Sequence, residues 1–122
     1  MGLQISTRES GDVTILDLHG RVTIGADSEL LRRRLKELVA HGVRKLLLNL
    51  ADVNQVDSYG LSVIVETSAS LRNKSCSLKF LRPNDRVLAV LQVTHVLEII
   101  PSFDDETKAL ASFQARGYAA TP

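Results

Sequence analysis

Tryptophan is absent from this 122-residue sequence, cysteine occurs once, and only five residues are aromatic. So few rings leave little on which single-stranded nucleic acid could stack. An excess of charge of either sign is also missing. Fifteen basic and fourteen acidic side chains nearly cancel to a net +1. No global field exists to draw in a polyanion or an anionic membrane, and we expect no nucleic-acid partner. The lone thiol, Cys76, cannot close an internal disulfide. It precedes the strand-like "SLKF" and reads as an inert buried residue in a reduced, cytoplasmic setting. No apolar run nears 18 residues, so no membrane span is expected. No signal-peptide pattern opens the chain. "MGLQIS" matches an acylation pattern at Gly2, but the pattern is short and the segment reads as a strand.

Catalytic signatures are missing too. There is no P-loop, dinucleotide glycine fingerprint or Gly-x-Ser-x-Gly elbow. His19, His41 and His95 are scattered, with no neighbouring ligand at metal spacing. Cys76 has no obvious partner base. We expect a protein that is not an enzyme and carries neither cofactor nor metal.

What the sequence does hold is an ordinary soluble composition, 44% apolar and 24% charged. Its length suits one domain over residues 1–122, with a core at about 3–115. "LQIST" and "VTILDL" alternate apolar and polar about a turn-like "ESGD", a hairpin pattern in which Thr14 and Asp17 can face out. "HGRVTIGADS" reads as a loop or short strand. Leu31, Leu35, Leu38 and Val39 recur at helical spacing, and Gly42 stops that helix. Arg32, Arg33, Arg34 and Lys36 form its solvated flank, with Glu29 and Glu37 nearby. "VRKLLLNL" (43–50) suits a central strand buried on both faces. After the loop "ADVNQVDS", Leu61, Ile64, Val65, Ser68 and Leu71 stripe a second helix, ended by "NKS". "SLKFLR" is another strand. Asn84 caps a short helix lined by Val87, Leu88 and Leu91. "VLEII" reads as a last strand stopped by Pro101. A final helix follows, with a Ser102–Asp105 capping box, Leu110 and Phe113 inward, and Gly117 as its end before a loose "YAATP" tail. The order ββαβαβαβα calls for an α/β fold: a mixed central sheet of about five strands with four helices.

Ser58 lies where a buried strand gives way to a helix, the edge of an α/β sheet that usually carries function. As the N-cap or a first-turn residue, with Asp57 beside it, its hydroxyl could carry a phosphate held by unpaired helix N–H groups. Such a group would add nearly two negative charges without unfolding the domain. Capping alone is the competing role for an Asp-Ser pair.

The run "LLLNLADVNQVDSYGLSVIVE" resembles the central motif of the STAS domain, an apolar strand and loop leading to Asp-Ser-Ser-Gly-Leu-Gly at a helix start. "ILDLHGRV" resembles the family's strand ending in Leu-x-Gly-x-Leu. The branch it most resembles is the bacterial anti-anti-sigma factors, or anti-sigma factor antagonists. That resemblance implies a partner anti-sigma factor that is also a serine protein kinase. The unphosphorylated antagonist binds it and releases sigma; phosphorylation prevents binding, and a serine phosphatase restores it. It implies Ser58 as the phosphoacceptor, Asp57 as the motif acid, Gly60 as a residue that lets a partner approach closely, and Tyr59, Thr23 and Asn54 in the partner-binding surface. Tyr59 replaces the motif's second serine, Ser62 its second glycine, and Thr23 an acid found in many antagonists. These departures bear on partner choice. The alternative is a phosphorylation-independent STAS scaffold, a subunit of a signalling or lipid-transport complex.

Overall fold

The apolar run at 43–50 becomes the middle strand of a sheet. In the computed structural model, which describes residues 2–72 and 77–119 with side chains as far as 114, this strand is β3 (Lys45–Val56). It pairs in parallel with β2 (Val13–Val22) on one side and β4 (Ser77–Leu81) on the other. β1 (Gln4–Ser10) runs antiparallel to β2 at one edge, and β5 (Ser102–Phe103) runs parallel to β4 at the other. The spatial order is β1-β2-β3-β4-β5. Four helices complete the fold: α1 (Ala26–Ala40), α2 (Ser58–Arg72), α3 (Asp85–Val93) and α4 (Glu106–Ala119).

Strand alternation sorts the core into two layers. Leu16, Leu18, Leu46, Leu48, Leu78 and Phe80 face the layer made with Leu31 and Leu35 of α1, Ile64 and Leu71 of α2, and Val87 and Leu91 of α3. Val13, Ile15, Leu47 and Leu81 face the other way and pack against Ala109 and Phe113 of α4. Leu46, Leu47 and Leu48 are all fully buried, so β3 is covered on both faces as its sequence requires. Thr14, expected to face out, is buried because it shares the face of β2 that carries Leu16 and Leu18 into the first layer. Ion pairs lie along the flank of α1: Arg32 pairs with Glu29 and Glu66, and Arg34 with Glu37. Leu3 is tied by its N–H to Asp27 Oδ1 at 3.0 Å, and Gly2 leaves no room there for a Cβ.

Four boundaries differ from the sequence reading. β2 and β3 continue together through "HGRV" and "ADVNQV", past two irregularities in register. Val53 and Val56 bury, which holds the extension down. "VLEII" is not a strand. Val96–Glu98 make one turn of 3-10 helix after His95 in the left-handed region. Val96 and Ile100 bury at i and i+4, and the Ile100 N–H donates to the Val96 carbonyl, so the run follows helical rather than alternating spacing. The last strand instead follows Pro101. The carbonyls of Pro101 and Phe103 accept from Phe80 and Arg82, so the missing proline N–H is not needed. Ser102 therefore belongs to β5, and Asp105 alone caps α4, accepting from Lys108 N–H at 3.3 Å. α4 also runs through Gly117 to Ala119 instead of stopping there. The expectations for Cys76, the "NKS" helix end and residues 120–122 lie outside the described residues.

Candidate functional site

β2 and β3 both end, at Val22 and Val56, beside the start of α2. The linker between β3 and α2 is one residue, Asp57. Its backbone N–H donates to the Val22 carbonyl at 3.2 Å, holding the turn against the end of β2. Its side chain then does two jobs. Oδ1 accepts the Gly60 N–H at 2.8 Å, an N-cap to N3 hydrogen bond. Oδ2 accepts the Ile24 N–H, also at 2.8 Å, from the loop that leads into α1. Asp57 is thus the helix cap, and it fastens the β2–α1 loop to α2.

Ser58 is the first residue of α2 and is exposed. Its carbonyl accepts from Ser62 Oγ at 2.9 Å, while its own hydroxyl has no hydrogen-bond partner among the described residues. With Leu61, Ser62, Val65 and Glu66 it lines a shallow hollow along one face of α2. The N–H groups of Ser58 and Tyr59 have no carbonyl behind them in the helix, and the positive end of its dipole lies here.

Tyr59 is half exposed. On the neighbouring α1, the Arg32 guanidinium is raised above its ordinary value, first by the hydrogen bond to Glu66. That contact, 2.7 Å, bridges α1 to α2. Gly60 is buried. A Cβ there would run into the Val22 carbonyl and stand 2.7 Å from Val22 Cγ1. The close approach this glycine permits in the structure is to β2 of its own chain. Thr23 is half-buried, with its hydroxyl 3.3 Å from Asp27 Oδ2. Asn54 is exposed on the extension of β3 and lines a different hollow, with Gln4, His19 and Arg21.

The structure thus joins Asp57, Gly60 and the Thr23–Ile24 loop by direct bonds, with Ser58 and Tyr59 on the surface above them, and sets Asn54 apart. Ile24 was missed. Its side chain is 65% exposed, but only the tertiary register shows that its N–H meets Asp57. That Asp57 rather than Ser58 caps the helix was open to the eye in "VDSYG": Asp is a favoured cap, and it precedes a helix whose third residue is the glycine.

Residues 4–109 match the STAS domain. A candidate anti-sigma factor antagonist of Thermotoga neapolitana is 35% identical over 80 residues, 66% of this chain and 71% of the relative. The crystal structure of a candidate anti-sigma factor antagonist from Thermotoga maritima superposes with a TM-score of 0.85 at 26% identity, covering 90% of this chain and 94% of that one. The anti-sigma factor antagonist SpoIIAA is similar in its unphosphorylated form, with a TM-score of 0.69 at 16% identity over 94% of this chain and 98% of that one. The phosphorylated form, a Bacillus cell-fate determinant, gives 0.70 at 14% over 89% and 98%. At such identities the likeness to SpoIIAA speaks for the fold alone. Together these matches place the chain in the STAS-domain family, among its anti-sigma factor antagonists.

Proposed function

We propose that this protein antagonises an anti-sigma factor that is also a serine kinase, and that phosphorylation of Ser58 switches the contact off. One observation carries the reading: Asp57 caps α2, which leaves the exposed Ser58 hydroxyl without a structural bond to lose. The kinase would supply ATP, Mg²⁺ and a base. The base takes the Ser58 proton, the oxygen bonds to the γ-phosphorus, and ADP leaves. The new group carries a charge of about −1.5 to −2 beside Asp57. It sits at the helix end whose free N–H groups and dipole favour an anion, so the scaffold tolerates it. A partner surface that packs over Ser58 does not. A serine phosphatase would restore the docking form.

Within this reading Ser58 and Tyr59 form the surface that the partner covers, with Thr23 at its side. Asp57 and Gly60 shape it from below, and Asn54 extends it along the same end of the sheet. Among the described residues, no helix is long and apolar enough to cross a membrane.

The test is incubation with the serine-kinase anti-sigma factors of the source genome and ATP, followed by intact mass and site mapping. One phosphate on Ser58, and none on a Ser58→Ala variant, is the expected result. A kinase that binds the chain but leaves Ser58 unmodified would point instead to the phosphorylation-independent scaffold.

A further inference from the structure

Four large apolar side chains are prominently exposed among the described residues: Ile24, Tyr59, Val93 and Ile99. Two of them belong to the Ser58 site, on different elements. Tyr59 follows Ser58 on α2 and is 50% exposed; Ile24 projects from the β2–α1 loop and is 65% exposed. Their relative placement is fixed by Asp57, whose carboxylate takes the Gly60 N–H with one oxygen and the Ile24 N–H with the other. Two charged groups beside these side chains are engaged within the chain. Both Asp57 oxygens are bonded within the chain, and Arg32 is held by Glu66 and Glu29.

We propose that Ile24 and Tyr59 are the two specificity-determining anchors of the docking surface, and that Asp57 is the positioning residue that holds them as one rigid pair. This rests on the function proposed above and names the partner's chemistry. The anti-sigma factor that fits this chain offers an apolar recess for an aliphatic side chain and another for an aromatic ring, next to the point that receives Ser58. Exposed apolar anchors on a preorganised frame carry binding with little ordering cost, and tyrosine is enriched among such residues. With Asp57 and Arg32 both engaged, the two anchors themselves carry no charge, so a contact centred on them should depend weakly on salt.

The experiment measures affinity for the anti-sigma factors of the source genome, using the unphosphorylated full chain. Ile24→Ala and Tyr59→Ala should each weaken binding about tenfold or more. Ile24→Leu should restore binding to within a few fold, and the melting temperature of the Ile24 variants should stay at the wild-type value. Asp57→Asn keeps the shape but loses one acceptor. It should weaken binding while leaving a helical spectrum, and the loss should shrink when Ile24 is already alanine, because the two act through one contact. Raising salt from about 50 to 500 mM should change wild-type affinity by less than about threefold.

If both alanine variants bind as wild type does while Ser58→Asp abolishes binding, this inference is overturned and the phospho-switch stands. If binding depends on Ile24 and Tyr59 but ignores Ser58→Asp, the anchors stand and the switch falls. No binding of the wild-type chain to any anti-sigma factor overturns both, and a steep salt dependence overturns the apolar character of the contact.

Discussion

Ser58, Asp57 and Gly60 are consecutive or nearly so, yet substitution should affect each in a different way. The Ser58 hydroxyl is exposed and makes no bond to another described residue. Ser58→Ala should therefore shift stability by no more than about 0.5 kcal/mol, the range of neutral surface changes. Asp57→Ala removes a cap and a tether to Ile24 together. It should cost about 1–2 kcal/mol, visible as a lower urea midpoint with an unchanged slope. Gly60→Ala drives a methyl group into Val22 and should cost at least about 1–3 kcal/mol as overpacking. Equal melting temperatures for the Ser58 and Asp57 alanine variants would refute the assignment of the cap. At this scale the sequence was half legible. Ser58 and its capping acid stand side by side in "VDSYG", but the carbonyl of Val22 and the N–H of Ile24 come from more than thirty residues away. No local pattern encodes that meeting.

Among the elements, the long ones could be read from their periodicity and the short ones could not. α1, α2 and α3 each repeat a core face two or three times, and the first half of β3, Leu46 to Leu50, is apolar but for Asn49, so their character survives any error at the ends. β5 has two residues and no periodicity of its own; it exists because β4 offers N–H groups to the carbonyls of Pro101 and Phe103. α4 was readable too, but one contact that ties it to the sheet is equally invisible to local reading. Arg8 on β1 donates to both oxygens of Asp17 on β2 and to both of Glu106 in the first turn of α4, at 2.7 to 3.2 Å. Glu106 is held below the ordinary carboxylate range, foremost by the Arg8 hydrogen bonds. In Asp17 burial pushes the carboxyl up, but hydrogen bonds from Arg8 and Asn49, with the Arg8 charge, outweigh it and lower it. A carboxylate lowered on folding stabilises above its unfolded pKa, and that contribution is lost as pH falls through the folded value. The stability difference between wild type and Arg8→Met should thus be present at neutral pH and shrink below about pH 4. Because the Arg8 side chain is 43% exposed, solvent screening limits the effect to about 1 kcal/mol. Paired melts across that pH range check it; a gap that widens on acidification would contradict the assignment.

For the molecule as a whole, the two core layers explain how a surface event can leave the fold in place. The scaffold is fixed by residues such as Ile64 and Phe113, each 1% exposed and packed on opposite faces of the sheet. Ile64→Ala should cost about 2–5 kcal/mol, read as a loss in unfolding free energy. Ser58 takes part in neither layer, so its charge can change while the core does not. Both faces of β3 were readable in the sequence because burial repeats along the chain, whereas the link between the β2–α1 loop and α2 depends on the single carboxylate of Asp57. The most direct measurement is a binding titration of the anti-sigma factor against the chain carrying serine, and then phosphoserine, at position 58, with a melting curve for each. We predict that phosphate lowers affinity about tenfold or more and leaves the melting temperature unchanged. Equal affinity for the two forms, or a phosphorylated chain that melts well below the other, would contradict the account.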